Sequence, residues 1–235
     1  MKFVISHLSK SYGMNKVLKD IDYAFEEGKI YGLLGRNGAG KTTLFNCLNS
    51  DLKSDTGEFY FLENDKKEGV NAEDIGYVLS APVVPAFMTG REFLKFFIDI
   101  HSDVIRDPKS IDEYMDIVRI PQDTRDRLMK DYSHGTKNKM QMLINIVLAP
   151  RLMLLDEPLT SLDVVVAEEM KEVLRQQKEG RIQIFSTHLL DIALDLCDEI
   201  VLLNHGRLEL VDKSDLDNSD FKEKIIEALR DADNS

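Results

Sequence analysis

Gly35-Arg36-Asn37-Gly38-Ala39-Gly40-Lys41-Thr42-Thr43 follows directly on the apolar run Ile30-Tyr31-Gly32-Leu33-Leu34. The stretch fits G-x-x-x-x-G-K-[ST], in which the backbone N–H groups of a glycine-rich loop cradle phosphates, the lysine reaches the β and γ phosphates and the next hydroxyl holds Mg²⁺. Gly35, Asn37, Gly38, Ala39, Gly40, Lys41, Thr42 and Thr43 are therefore candidate nucleotide-binding residues, with Thr42 also a candidate metal ligand. The plain alternative is a glycine turn with an exposed lysine. Gly38 and Gly40 speak against it, because the backbone must approach phosphate closely there and take angles that a Cβ obstructs.

Around this loop the periodicity predicts an α/β fold. Short strands are expected at Lys2 to Leu8, Ile21 to Phe25, Lys29 to Leu34, Glu58 to Leu62 and Ile75 to Leu79, with one helix beginning at Lys41. From about Ala81 the pattern turns helical, with Phe93, Phe96, Phe97 and Ile100 on one stripe and Met140, Leu143, Ile144, Val147 and Leu148 on another. After Pro150, strands at Leu152 to Leu155, Ile182 to Ser186 and Ile200 to Leu203 alternate with helices from about Asp163 and Leu189. Leu152-Met153-Leu154-Leu155 is apolar without alternation, as in a parallel strand covered on both faces. The expected architecture is a P-loop NTPase core with a central, mostly parallel sheet, an N-terminal antiparallel β portion and an inserted helical subdomain. Residues 1–80 and 150–217 form the core, 81–149 the insertion, and 218–235 an amphipathic C-terminal helix and tail.

The 235 residues suffice for one core with an insertion, and no apolar run approaches the roughly 20 residues that cross a bilayer. The opening MKFVISHLSKSYG lacks a long apolar segment, so it reads as a strand, and a cytoplasmic protein is the default expectation. A formal net charge of −12 disfavours a general nucleic-acid binder, which needs lysine and arginine in quantity. Cys47 and Cys197 lie far apart in apparently helical stretches and read as buried small hydrophobes.

In parallel sheets, ligands bind beyond the carboxyl ends of the strands. Three such ends carry chemistry: Gly35 to Thr43, Asp156-Glu157 and His188. An NTPase of this kind needs an acid to support Mg²⁺ and a group to position or deprotonate water, which suits Asp156 and Glu157. Alone, such a pair is more often a solvated strand end; sharing the chain with the phosphate loop reverses those odds. His188, in FSTHLL, could contact a γ-phosphate or the attacking water, although a lone histidine is more often packed or at the surface.

These motifs together resemble the ATP-binding subunits of ABC transporters, over most of the chain. Tyr12 in SKSYG is similar to the family's adenine-stacking aromatic residue, and GRNGAGKTT to its Walker A loop. YSHGT at 132–136 resembles the signature usually written LSGGQ, which by resemblance gives Ser133 and Gly135 contacts to ATP held by a partner subunit. LMLLDEP resembles Walker B with Glu157 catalytic, SLD at 161–163 the D-loop ending in Asp163, and His188 the switch histidine. Small residues opening the helix after Ser133 also leave N–H groups that suit an anion. The resemblance implies ATP and Mg²⁺ as cofactors, a second ATP-binding subunit in a homodimer or heterodimer, and a separate integral membrane permease holding the chain at the inner face of the membrane. A soluble ABC-type ATPase acting on ribosomes or DNA is the alternative, although such proteins carry two fused units or a long coiled coil. No N-K-x-D guanine reader is present.

Two departures stand out. Ser80 occupies the place of a glutamine that touches Mg²⁺ and water; it acts through a bridging water, leaves catalysis to Glu157 and His188, or marks a slower enzyme. In the signature, Tyr132, His134 and Thr136 replace leucine, glycine and glutamine, and His134, like TGREFLKF at 89–96, resembles the branch that energises exporters of antibiotics, peptides and polymers.

Overall fold

The computed structural model describes residues 1–105, 108–160, 162–212, 225 and 229. Strands β1 (Lys2–Tyr12), β2 (Asn15–Glu26), β4 (Thr56–Glu63) and β5 (Lys66–Glu68) form an antiparallel sheet in the order β2-β1-β4-β5. A second, six-stranded sheet is built on β3 (Ile30–Leu34), β6 (Ile75–Val78), β7 (Leu152–Asp156), β8 (Ile182–Thr187), β9 (Glu199–Asn204) and β10 (Arg207–Val211). Its order is β10-β9-β3-β8-β7-β6, parallel throughout except where β10 returns antiparallel on β9. The helices are α1 (Lys41–Leu48), α2 (Gly90–Ile100), α3 (Ile111–Ile117), α4 (Gln122–Arg125), α5 (His134–Leu148), α6 (Val164–Gln176) and α7 (Leu190–Leu196). The α/β class, the mostly parallel sheet and the separate antiparallel portion agree with the expectation, and α2 to α5 fall in one stretch between β6 and β7.

The unbroken apolar runs have the anticipated cause. Leu152 and Leu154 pack into the cluster shared with β1, β2 and α1, whereas Met153 and Leu155 face the opposite cluster with α5 and α6. Both faces of β7 are thereby dry, and polar groups are confined to the strand ends. Cys47 and Cys197 are buried, as expected of small hydrophobes.

Several boundaries differ from the sequence reading. β1 and β2 are longer, because polar residues continue the antiparallel ladder where one side is open to water. β5 (KKE) carries no apolar residue and β10 (RLELV) alternates only briefly, with Leu210 left exposed; both are held by pairing to β4 and β9. The α2 stripe is corrected: Phe93, Phe97 and Ile98 pack on the core with the fully buried Leu94, while Phe96 and Ile100 are about half exposed at 52% and 55%. The capping box of Thr89 with Glu92 fixes where the helix begins. Of the helix expected at 218–235, all but Ile225 and Leu229 lies outside the described residues.

Gly57 explains the joint between β1 and β4. The register shifts between Ser6 and Ser9, His7 has φ +53°, and Gly57, at φ +84°, lies so close to the bulge that a Cβ would fall on the His7 carbonyl. Gly13 shares the left-handed backbone, at φ +59°, but opens on free space. Gly57→Ala is expected to destabilise the protein by about 3 kcal/mol and Gly13→Ala by about 1 kcal/mol, since only the first adds a backbone clash to the conformational strain. Denaturant unfolding of the two variants measures the difference.

Candidate functional site

Four parallel strands end on the same edge of the sheet and deliver the site. β3 runs into the glycine loop, whose Gly35 N–H donates to the Thr187 carbonyl of β8 at 3.2 Å. Gly38 and Gly40 have φ +79° and +108°, and a Cβ on Gly40 would stand 2.8 Å from Val17 Cγ1, so the loop turns into α1 only with glycine there. A cavity of about 390 Å³ opens over the loop, lined by Asn37, Gly38, Gly40, Lys41, Thr42, Thr43, Ser80, Asp156, Glu157 and Val17. Most of the predicted phosphate and metal residues are thus brought together, Ser80 included. Val17 was not anticipated; it arrives from the other sheet, and nothing in its local sequence marks it.

Lys41 is nearly buried, and its Nζ donates to the carbonyls of Gly35 at 2.7 Å and Arg36 at 3.2 Å while lying 3.2 Å from Glu157 Oε1. The other Glu157 oxygen accepts from Thr160 Oγ1 at 3.3 Å and lies 3.0 Å from His188 Nδ1. An ionised carboxylate only accepts, so Nδ1 carries the proton in that bond. Burial acts to raise the Glu157 carboxyl, but the Lys41 ammonium and then His188 outweigh it and hold the carboxyl below its ordinary value. Glu157 itself sits at φ +47°, an uncommon backbone for a residue other than glycine.

Asp156 is gripped from both sides. Oδ2 accepts from Thr42 Oγ1 at 2.8 Å and Oδ1 from Ser186 Oγ at 2.7 Å, while the Tyr77 hydroxyl, with one proton to give, lies 3.2 Å from Asn46 Oδ1 and 3.4 Å from Asp156 Oδ2. Burial, and after it the Asp156 charge, pushes the Tyr77 phenol upward, so it stays a donor. The Thr42 hydroxyl and the Asp156 carboxylate are hard oxygen donors beside an open, solvent-reached cleft, which fits Mg²⁺, an ion that keeps waters and phosphate oxygens among its ligands. Ser186 and Tyr77 were missed by sequence reasoning. Their only sequence signal is position: Ser186 lies two residues before His188 and Tyr77 three before Ser80.

Tyr12, Ser133, Gly135 and Asp163 do not line this cleft. Tyr12 is 52% exposed at the end of β1. Ser133 caps α5, its Oγ accepting from Thr136 N at 3.1 Å, so one of the first N–H groups of that helix is taken by its own cap. Gly135 packs beside the start of α6, where a Cβ would lie 3.2 Å from Val166 Cγ1, and Asp163 caps α6 by accepting from Val166 N at 3.0 Å. The signature turn and Asp163 therefore share one neighbourhood, apart from the phosphate loop.

A glycine loop between strand and helix, with a threonine–aspartate pair beside it and a glutamate on its lysine, defines a P-loop nucleotide-binding protein. The sequence profile described as ABC transporter matches residues 18–160, and the chain belongs to that family, as an ATP-binding subunit that hydrolyses ATP. It is 33% identical over 208 residues to the uncharacterised ABC transporter ATP-binding protein MJ1023 of Methanocaldococcus jannaschii, spanning 88% of this chain and 75% of that protein. To the bacitracin transport ATP-binding protein BcrA of Bacillus licheniformis it is 34% identical over 207 residues, 86% of this chain and 66% of that protein. To the sulfate/thiosulfate import ATP-binding protein CysA of Synechococcus elongatus it is 27% identical over 211 residues, 88% of this chain and 61% of that protein. Among solved structures, an ATP-binding subunit of an ABC transporter superposes with a TM-score of 0.77 at 21% identity, over 97% of this chain and 99% of that one. The ATP-binding cassette MJ0796, described as a dimeric post-hydrolysis state bound to ADP and Pi, gives 0.74 at 20% identity over 88% of this chain and 96% of that one. At those identities the likeness is one of fold.

The Glu157 cluster has a pH signature. Because folding depresses this carboxyl, its contribution to stability is complete above the ordinary value of 4.5 and is lost as pH falls through the depressed one. Unfolding midpoints taken from about pH 6 to about pH 3 should therefore fall more steeply for the wild-type chain than for Glu157→Gln.

Proposed function

We propose that the chain is the motor subunit of an ABC transporter, pairing with a second ATP-binding subunit around two ATP molecules and driving a separate membrane permease, in the direction of export. The observation that carries the catalytic part is the convergence of Lys41, Thr42, Asp156, Glu157 and His188 on one edge of the sheet. In this reading the loop N–H groups and Lys41 take the phosphates. An incoming phosphate competes with Glu157 for Lys41, and its arrival frees Oε1 while Oε2 stays with His188. Glu157 then receives the proton of a water whose oxygen attacks the γ-phosphorus, and ADP leaves with its β-phosphate oxygen as the leaving group. Thr42 and Asp156, with Ser80, hold Mg²⁺, which supplies neutralisation of the phosphate charge.

The partner subunit is supported by what the site lacks. Ser133, Gly135 and Asp163 lie away from the phosphate cleft, beside exposed Val164 and Val165 at the start of α6, so they suit the nucleotide of another subunit. No helix among the described residues is long and apolar enough to cross a membrane, so the transport pathway belongs to another chain or segment. Val83, Phe87 and Phe96, at 70%, 80% and 52% exposure, offer it an apolar contact next to Ser80. For the direction of transport, identity is higher to BcrA, named for bacitracin transport, than to CysA, named for import, and His134 and TGREFLKF lean the same way. β6 and β7 are paired neighbours in the sheet although α2 to α5 lie between them in the chain, which supports a core carrying an inserted lobe at 81–149.

Glu157→Gln is expected to keep ATP binding, to lose turnover by at least about a hundredfold and to accumulate as a dimer with ATP. Near-normal ATPase in that variant sinks the assignment. Lys41→Ala should instead weaken nucleotide binding itself by about tenfold to a hundredfold, the worth of a charge-assisted hydrogen bond. Purification from detergent-solubilised membranes with a stoichiometric hydrophobic subunit supports the permease; ribosomes or DNA in its place overturn that part.

A further inference from the structure

Ser186 is fully buried in β8, and the register sets it directly across from Asp156 of β7. Its hydroxyl is used in both directions: Oγ donates to Asp156 Oδ1 at 2.7 Å and accepts the Glu157 backbone N–H at 3.0 Å. One atom thus touches both halves of the acid pair. The first bond stops the Asp156 carboxylate from rotating, since its other oxygen is already held by Thr42, and keeps Oδ2 turned towards the cleft. The second anchors a backbone at φ +47°, a conformation that costs about 1–3 kcal/mol in a residue other than glycine and persists only when its surroundings hold it. From that backbone Glu157 Oε1 lies 3.2 Å from Lys41 Nζ and Oε2 lies 3.0 Å from His188 Nδ1.

We propose that Ser186 is a positioning residue for ATP hydrolysis, its single hydroxyl setting the metal-side carboxylate of Asp156 and the base Glu157 in register with each other. The proposal rests on the roles given to Asp156 and Glu157 above. Ser186 is buried and does not line the phosphate cleft; it acts through the two acids. A buried serine hydroxyl with no such role would only satisfy itself, and its loss would lower stability without separating binding from turnover.

The full-length chain decides between these. In Ser186→Ala, both bonds vanish and nothing larger enters. Metal-free ATP binding, measured by calorimetry in EDTA, should stay within about twofold of wild type, because Lys41 and the loop are untouched, while single-turnover hydrolysis falls about tenfold to a hundredfold, the usual cost of removing the partner that orients a metal-site ligand. The Mg²⁺ concentration for half-maximal rate should rise in parallel. Ser186→Thr, which restores the hydroxyl, should recover most of the rate, and Ser186→Val, of threonine's shape without the hydroxyl, should not. Wild-type rate and Mg²⁺ dependence in Ser186→Ala overturn the proposal, as does an equal loss of metal-free ATP binding and turnover, or equal rates for the threonine and valine variants. Glu157→Gln, assayed alongside, keeps the two questions apart: if it hydrolyses ATP normally, the base has been misassigned, whatever Ser186→Ala does.

Discussion

The carboxyl end of β8 is the constraint on which the site depends. Three consecutive residues there each hold a different part of it: the Ser186 hydroxyl binds both acids of β7, the Thr187 carbonyl takes the N–H of Gly35 at the mouth of the phosphate loop, and His188 reaches Glu157. β8 can do this because it lies between β3 and β7, paired in parallel with both. Parallel pairing brings the ends of all three strands to one edge, which an antiparallel neighbour could not. A shift of one residue between β7 and β8 would turn Ser186 away from Asp156 and set Phe185 or Thr187 opposite it instead.

That arrangement is held by apolar layers on both sides of the sheet. Leu152, Leu154, Ile182 and Ile184 are sealed on one face and Met153, Leu155 and Phe185 on the other. Burying each such side chain is worth about 1.5–3 kcal/mol, so the strands behind the site outweigh several times over the roughly 1–3 kcal/mol of strain stored at Glu157. The same layers leave no room for charge along the strands, and the ionisable groups collect at the ends, where Lys41 and Glu157 neutralise each other.

Much of this was legible in the residues. The loop, the acid pair and His188 are local patterns whose chemistry requires those residue types in that order, and unbroken apolar runs announced a sheet covered on both faces. The helical stripe was only half right. Phe96 and Ile100 share apolar character with Phe93 and Phe97 but point outward, because periodicity gives a spacing, whereas packing of Phe93, Leu94, Phe97 and Ile98 against the other helices decides which side turns inward. β5 and β10 were illegible for a related reason: edge strands take their shape from the neighbour they pair with.

The sequence by itself determined that the chain binds a nucleotide's phosphates and which residues carry the charges, since those follow from residue type at short spacing. It also determined the α/β class, through patterns of period two, of period 3.6 and of none. The tertiary structure alone decided that Lys41 rests on Glu157, that Asp156 is held at both oxygens, that Val17 shapes the loop, and that Ser133 and Gly135 lie beyond the cleft. Each of these joins residues remote in the chain, as Ser186 joins Asp156, and a distance of that kind is fixed by strand order and register, which no local pattern encodes.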